Sequence, residues 1–88
     1  MSAIAVLGAG SWGTALAVHL ARAGRSVRLW AREAALVEEM RRSRTNPRYL
    51  PGVVLDGHIQ PTSSLESSLD GAAFVVVTVA SHGLRAVM

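Results

Sequence analysis

One stretch near the N-terminus constrains the fold before anything else does: Ala3-Ile4-Ala5-Val6-Leu7-Gly8-Ala9-Gly10-Ser11-Trp12-Gly13-Thr14-Ala15-Leu16-Ala17. A short apolar run leads directly into Gly-x-Gly-x-x-Gly, and an alanine-rich helical pattern follows at once. That order predicts a strand, a tight turn and a helix, the entry of a dinucleotide-binding unit. Each glycine has a physical task. Gly8 permits the turn off the strand, Gly10 leaves bare backbone for a pyrophosphate to approach, and Gly13 lets the helix pack tightly on the strand. The helix then aims its unpaired N–H groups and positive dipole end at the phosphates.

Further along, strand and helix patterns alternate. Ala3–Leu7 is a continuous apolar run suited to a sheet covered on both faces. A helix is expected from Ser11 to about Ala23, with Leu16 and Leu20 on its buried stripe and Gly24 as a left-handed cap. Val27–Trp30 is the next strand, with Arg28 pointing outward. A second helix runs from about Glu33 to Ser43, burying Leu36, Val37 and Met40, and Asn46-Pro47 ends it. From Pro47 to about Gly57 the pattern predicts a loop. Ile59–Thr62 is a short strand near a sheet edge because Pro61 lacks an N–H. Ser63-x-x-Glu66 has capping-box form and opens a short helix closing at Gly71. Phe74–Val79 is the last strand, and Ser81 onward begins another helix.

Alternating strands and helices of these lengths make a Rossmann-type α/β fold. The parallel sheet has about four strands in the order 3-2-1-4, with flanking helices and less than a full doubly wound sheet. The ligand crevice of such a sheet lies at the carboxyl ends of its strands, where the topology reverses. Leu7 to Trp12, Trp30 to Arg32 and Val79 to His82 all fall at that edge. Residues 1–88 therefore read as one dinucleotide-binding domain, truncated.

Composition narrows the function. The chain has 88 residues, 50% of them hydrophobic and 17% charged, as expected of a small globular domain. No apolar run approaches the roughly 20 residues of a membrane span, and the N-terminus lacks a secretory pattern. With no cysteine there are neither disulfides nor zinc–thiolate sites, so a cytoplasmic location is the default. All nine basic residues are arginine, and the net charge is +3. Arg41, Arg42, Arg44 and Arg48 cluster, but Glu38 and Glu39 lie within a helical turn of Arg41 and Arg42. Paired charges on a solvated face are expected there, not a nucleic-acid surface.

The end of the second strand discriminates between nucleotides. An acidic residue there accepts from ribose hydroxyls, whereas an arginine pairs with a 2′-phosphate. The sequence reads Trp30-Ala31-Arg32-Glu33. Arg32 is placed to meet a phosphate, and Glu33 is expected in the first helical turn, so NADP is favoured and NAD left open. Trp12 packs either against the cofactor or in the core under the loop. His19 belongs on a helix surface and His58 in a turn without metal-ligand spacing; His82, the one histidine near the crevice, reads as a helix-start residue beside the ribose, with a general base as the alternative; Asp56 and Asp70 read as turn residues.

The glycine segment, Leu29-Trp30-Ala31-Arg32, Asn46-Pro47-Arg48-Tyr49-Leu50-Pro51-Gly52-Val53, and Ser81-His82 with Arg85 together resemble the bacterial NAD(P)-dependent glycerol-3-phosphate dehydrogenases. The resemblance runs over essentially the whole chain, and its Asn-Pro-Arg-Tyr-Leu-Pro-Gly stretch is the specific part. It implies reduction of dihydroxyacetone phosphate to sn-glycerol 3-phosphate for phospholipid synthesis, with NADP or NAD as cofactor. It also implies that Ser11, Trp12, Arg32 and Tyr49 contact or approach the cofactor, beside Gly8, Gly10 and Gly13. Two departures accompany it: Ala80 stands where the family usually has proline, and lysine is absent. The family's substrate-handling lysines and its helical substrate domain thus have no counterpart here, so no catalytic residue is assigned and the chain alone is expected to be inactive. The alternatives are a free-standing NAD(P)-binding module, or a fragment of a 6-phosphogluconate or hydroxyisobutyrate type dehydrogenase. An uncovered Phe74–Val79 edge would also invite self-association.

Overall fold

A computed structural model of the chain describes residues 3–78. The apolar run Ala3–Leu7 forms strand β1, and α1 follows over Ser11–Arg22. Strand β2 covers Val27–Trp30 and α2 covers Ala34–Ser43. Two strands, β3 (Thr45–Asn46) and β4 (Leu50–Val54), precede β5 (Ile59–Thr62), α3 (Leu65–Leu69) and β6 (Ala72–Val77). The main sheet has the order β5-β2-β1-β6 with every neighbouring pair parallel, the expected 3-2-1-4 arrangement of an α/β Rossmann-type fold. Pro61 stands in β5, an edge strand, where a missing N–H costs no ladder bond on the outer side.

The core lies between the sheet and helices α1 and α2. Ile4, Val6, Val27, Leu29 and Ile59 from the strands meet Ala17, Val18, Ala21, Leu36, Val37 and Met40 from the helices. On the other face, described cover comes from the short α3. Arg28 crosses that face to donate to the carbonyls of Ser67 and Asp70, and Trp30 Nε1 donates to Ser63 O at 3.1 Å. A charged residue in β2 thus fastens the end of a helix.

Gly24, at φ +86°, closes α1 as expected, and Arg25 N–H to Leu20 O (3.1 Å) with Gly24 N–H to Ala21 O (2.9 Å) makes a Schellman cap. The buried stripe of α1 differs from expectation. Gly13, Thr14, Ala17, Val18 and Ala21 occupy the contact line, and Leu16 and Leu20 flank it, half-buried. The helix sits so close to the sheet that only small residues fit directly beneath it.

Other boundaries differ for local reasons. Asn46-Pro47 does not end α2; Arg44 does, in the left-handed conformation at φ 54°. Its guanidinium then donates to Leu55 O (3.1 Å), Asp56 O (2.6 Å) and Ile59 O (2.7 Å), contacts that offset the backbone strain. The expected loop after Pro47 contains strand β4, which pairs antiparallel with β3 just before it, with Thr45 opposite Val54 and Asn46 opposite Leu50. Pro51 and Gly52 hide its alternation in the sequence. The cap of α3 is Ser64, not Ser63: Ser64 Oγ accepts from Ser67 N–H at 3.1 Å, and Thr62 Oγ1 accepts from Ser64 N–H at 3.0 Å. Thr62 thereby takes the part that Glu66 would have played. Strand β6 begins two residues before Phe74, because Gly71 (φ +70°) delivers the chain directly into pairing with β1. Val79, Ala80, Ser81, His82 and Arg85, with the helix expected there, lie outside the described residues.

The arginine cluster is also organised differently from expectation. Among the described residues the ion pairs are Arg48–Glu33 and His58–Asp56, so Glu38 and Glu39 do not pair with Arg41 and Arg42. Arg41 donates instead to Pro61 O at 3.0 Å. His58 and Asp56 share a turn as expected, and the His58 amide holds the Asp56 carboxyl below its ordinary pKa. Among the described residues no helix is long and apolar enough to cross a membrane, and no acidic or histidine cluster is arranged for a metal.

A Cβ added at Gly13 would collide with the Gly8 carbonyl oxygen and lie 2.6 Å from Thr78 Oγ1, whereas one at Gly24 meets nothing within 4 Å. Gly13→Ala is therefore expected to lose about 3 kcal/mol by forcing the helix off the strand. Gly24→Ala should lose only about 1 kcal/mol of left-handed strain. Urea denaturation of the two variants checks the difference, and equal losses would contradict the close helix–strand contact.

Candidate functional site

The carboxyl ends of β1, β2 and β6 meet at a cleft of about 550 Å³, lined by residues 7–10 of the glycine turn, 30–33 after β2, and Val77 and Thr78 after β6. Leu36, Tyr49 and Leu65 complete its walls. Three segments distant in sequence therefore converge where the topology of the sheet reverses.

The floor is the glycine turn, and its carbonyl oxygens are all hydrogen-bonded within the fold. Thr78 N–H donates to Leu7 O at 2.8 Å, and Thr78 Oγ1 lies 2.9 Å from Gly8 O. Ala9 O accepts from Asn46 Nδ2 at 2.9 Å and from Thr14 Oγ1 at 3.3 Å, and Gly10 O accepts from Thr14 N–H at 3.0 Å. Gly8 itself adopts φ +122°, and its N–H donates to Trp30 O at 2.9 Å, which ties the turn to β2. A side chain at Gly8 would strike the Thr78 carbonyl.

With its acceptors occupied, the turn presents donors. Gly10 is the N-cap of α1 and supplies no side-chain cap, and the first turn contains no acidic residue. The N–H groups of that turn have no intrahelical acceptor and sit at the positive end of the helix dipole. Gly10 has φ −76°, a value open to any residue, so its bareness matters for access and not for backbone conformation. Bare backbone, an uncapped helix N-terminus and a first turn free of acidic side chains suit a diphosphate.

Asn46 holds this geometry. Fully buried, its Nδ2 donates to Ala9 O and, at 2.8 Å, to Thr14 Oγ1, while its Oδ1 accepts from Tyr49 N–H at 3.2 Å. Tyr49 O in turn accepts from Ser11 Oγ at 2.8 Å. The glycine turn, the first turn of α1 and the hairpin turn are thereby cross-linked.

At the opposite end of the cleft stand Arg32 and Glu33. Arg32 is exposed, and among the described residues it forms no ion pair. Glu33 is not inside the first helical turn; it is the extended N-cap residue of α2, and its Oε1 accepts from Arg48 at 2.8 Å. The hydrogen bond and charge of Glu33 raise the Arg48 guanidinium above its ordinary pKa.

Of the residues singled out from sequence, Gly8, Gly10, Arg32 and Tyr49 line the cleft. Gly13 lies behind the turn, Ser11 joins the turn to Tyr49, and Trp12 is 72% exposed, which removes the core-packing alternative for it. His19 is exposed on α1, and His82 lies outside the described residues. Asn46, Thr78 and the Arg48–Glu33 pair were not anticipated. Asn46 lies 37 residues from its Ala9 partner, and nothing local in the sequence announces that contact.

Asn46→Ala leaves a buried carbonyl and hydroxyl short of a partner and is expected to lose about 2 kcal/mol. Asn46→Asp keeps the acceptor for Tyr49 but opposes the Ala9 carbonyl, so it should lose at least as much. Urea denaturation measures both, and wild-type stability in either variant would refute the cross-link.

Residues 3–88 match the protein family described as NAD-dependent glycerol-3-phosphate dehydrogenase N-terminus. The chain is 48% identical over 85 residues to a glycerol-3-phosphate dehydrogenase (NAD(P)+) of Chelativorans sp. (strain BNC1), covering 97% of this chain and 26% of that protein. It is 55% identical over 82 residues to its counterpart from Moorella thermoacetica, covering 93% and 24%. Among solved structures, glycerol-3-phosphate dehydrogenase from Coxiella burnetii superposes with a TM-score of 0.86 at 45% identity, over 89% of this chain and 24% of that one. The chain thus spans about a quarter of the length of the relatives it matches.

Proposed function

Because the chain belongs to the family of NAD-dependent glycerol-3-phosphate dehydrogenases, matching its N-terminal part, we propose that residues 1–88 form the NAD(P)-binding part of such an enzyme. Gly8, Gly10, Ser11, Trp12, Gly13, Arg32 and Tyr49 are its cofactor-binding residues. The family match sets aside the 6-phosphogluconate and hydroxyisobutyrate types.

The single observation behind this assignment is the glycine turn, whose carbonyls are hydrogen-bonded, whose residues Gly8 and Gly10 line the cleft, and which leads into a helix N-terminus without a side-chain cap. Gly10 and the first turn of α1 hold the diphosphate, and Gly13 keeps the helix close enough to deliver its donors. Ser11 secures the turn, Trp12 lies exposed beside it, and Tyr49 walls the cleft. Arg32 pairs with a 2′-phosphate through charge-assisted hydrogen bonds, which favours NADPH and accommodates NADH. When bound, NAD(P)H supplies the hydride for the ketone carbon of dihydroxyacetone phosphate, giving sn-glycerol 3-phosphate for phospholipid synthesis. Substrate groups are contributed by parts of the enzyme other than this chain, which works in the cytoplasm. Alone, residues 1–88 self-associate through the β6 edge, where Phe74, Val75 and Val77 are exposed.

Fluorescence titration tests the proposal. Both nucleotides are expected to bind saturably, NADPH more tightly. Arg32→Ala should weaken NADPH by about 10- to 100-fold and NADH much less, as loss of hydrogen bonds to a charged group demands. No saturable binding by folded protein would sink the proposal, and equal weakening of both nucleotides would remove Arg32 from the 2′-phosphate. Residues 1–88 alone should not turn over dihydroxyacetone phosphate.

A further inference from the structure

The cleft carries two opposite charges side by side at the end of β2, Arg32 and Glu33, and both line it. Left to themselves they give contradictory instructions. A carboxylate there accepts from ribose hydroxyls and repels a 2′-phosphate, whereas a guanidinium attracts that phosphate. Arg48 resolves the contradiction: it reaches back from the hairpin turn and donates to Glu33 Oε1 at 2.8 Å. The root of its side chain is fixed, because its neighbour Tyr49 is held through its N–H by Asn46 and through its carbonyl by Ser11. The pair is solvent-exposed at 42% and 57%, so it contributes little to stability, but it occupies one oxygen of the Glu33 carboxylate and sets a positive charge against its negative one beside the cleft.

On the premise that the cleft holds NAD(P)(H), we propose that Arg48 is a positioning residue for nucleotide choice. It masks the Glu33 carboxylate and leaves Arg32 as the effective charge at the adenosine end. Preference for the phosphorylated nucleotide is then set by a hairpin residue 15 positions beyond the acid it neutralises. Arg48 itself touches no phosphate.

Dissociation constants for NADPH and NADH in the intact protein test this, with wild type, Arg48→Ala and the double variant Glu33→Gln/Arg48→Ala compared. Arg48→Ala is expected to weaken NADPH about three- to tenfold, the size of one newly exposed charge in a solvated site. NADH should hold steady or tighten, and the thermal midpoint should stay near wild type. The double variant, having no carboxylate to expose, should regain the wild-type ratio of the two constants. A double variant as poor as Arg48→Ala would mean that Arg48 contacts the phosphate directly, and would overturn the proposal. An unchanged ratio in Arg48→Ala, or equal losses for both nucleotides, would overturn it as well. Each of those outcomes leaves nucleotide binding intact, whereas absence of saturable binding by the wild type would remove the nucleotide assignment and this proposal together.

Discussion

A buried amide side chain, Asn46, fixes the shape of the glycine turn, and much of the cleft inherits its order from that contact. A turn containing Gly8 and Gly10 has little conformational preference of its own, since glycine backbone is nearly free. Left unsupported, its peptide planes would rotate and its N–H groups would scatter. Asn46 and Thr14 bind the Ala9 carbonyl, and Thr78 holds those of Leu7 and Gly8, so the peptides can face only one way. Orienting donors before a ligand arrives lowers the ordering cost of binding. The glycines make the turn possible; three polar side chains remote from it in sequence or across a helical turn make it definite.

This division explains what the sequence discloses. The strand, turn and helix around Gly8–Gly13 are written in local chemistry: an apolar run, left-handed or bare positions, and small residues along a helix face. Their spacing carries over into the structure almost unchanged. Contacts made across the sheet are different. Asn46 looks like a helix terminator because the following proline dominates its local meaning, while its real partners lie on another element. The hairpin after it was hidden for a similar reason, since Pro51 and Gly52 mimic a structureless loop yet fit a two-stranded ribbon with Gly52 at φ +82°. The capping-box spacing points to Ser63 because Glu66 stands three residues on, and the Thr62 hydroxyl, by accepting from Ser64 N–H, moves the cap one residue along.

The exclusive use of arginine acquires a structural meaning beyond charge. Arg28, Arg41 and Arg44 donate to main-chain carbonyls of α3, β5 and the turn before β5. A planar guanidinium with several donors can bridge such carbonyls from one rigid position, whereas an ammonium acts as a mobile point charge. These side chains therefore behave as clasps between elements. A basic cluster that composition alone might assign to nucleic acid is largely consumed internally, and Arg32 stands apart by lining the cleft.

That contrast bears on how a nucleotide site evolves its preference. An acid and a base adjacent at the end of β2 cannot both serve the same adenosine end, so one must be silenced by something outside the strand. Silencing by a partner on a hairpin demands that the hairpin be held at a fixed distance from β2. The same Asn46 that orders the glycine turn also anchors Tyr49, next to Arg48. On the proposed reading, diphosphate binding and discrimination between the two nucleotides share one anchor, so a change at the hairpin root would be felt at both ends of the cleft, and a change at Arg48 itself at only one.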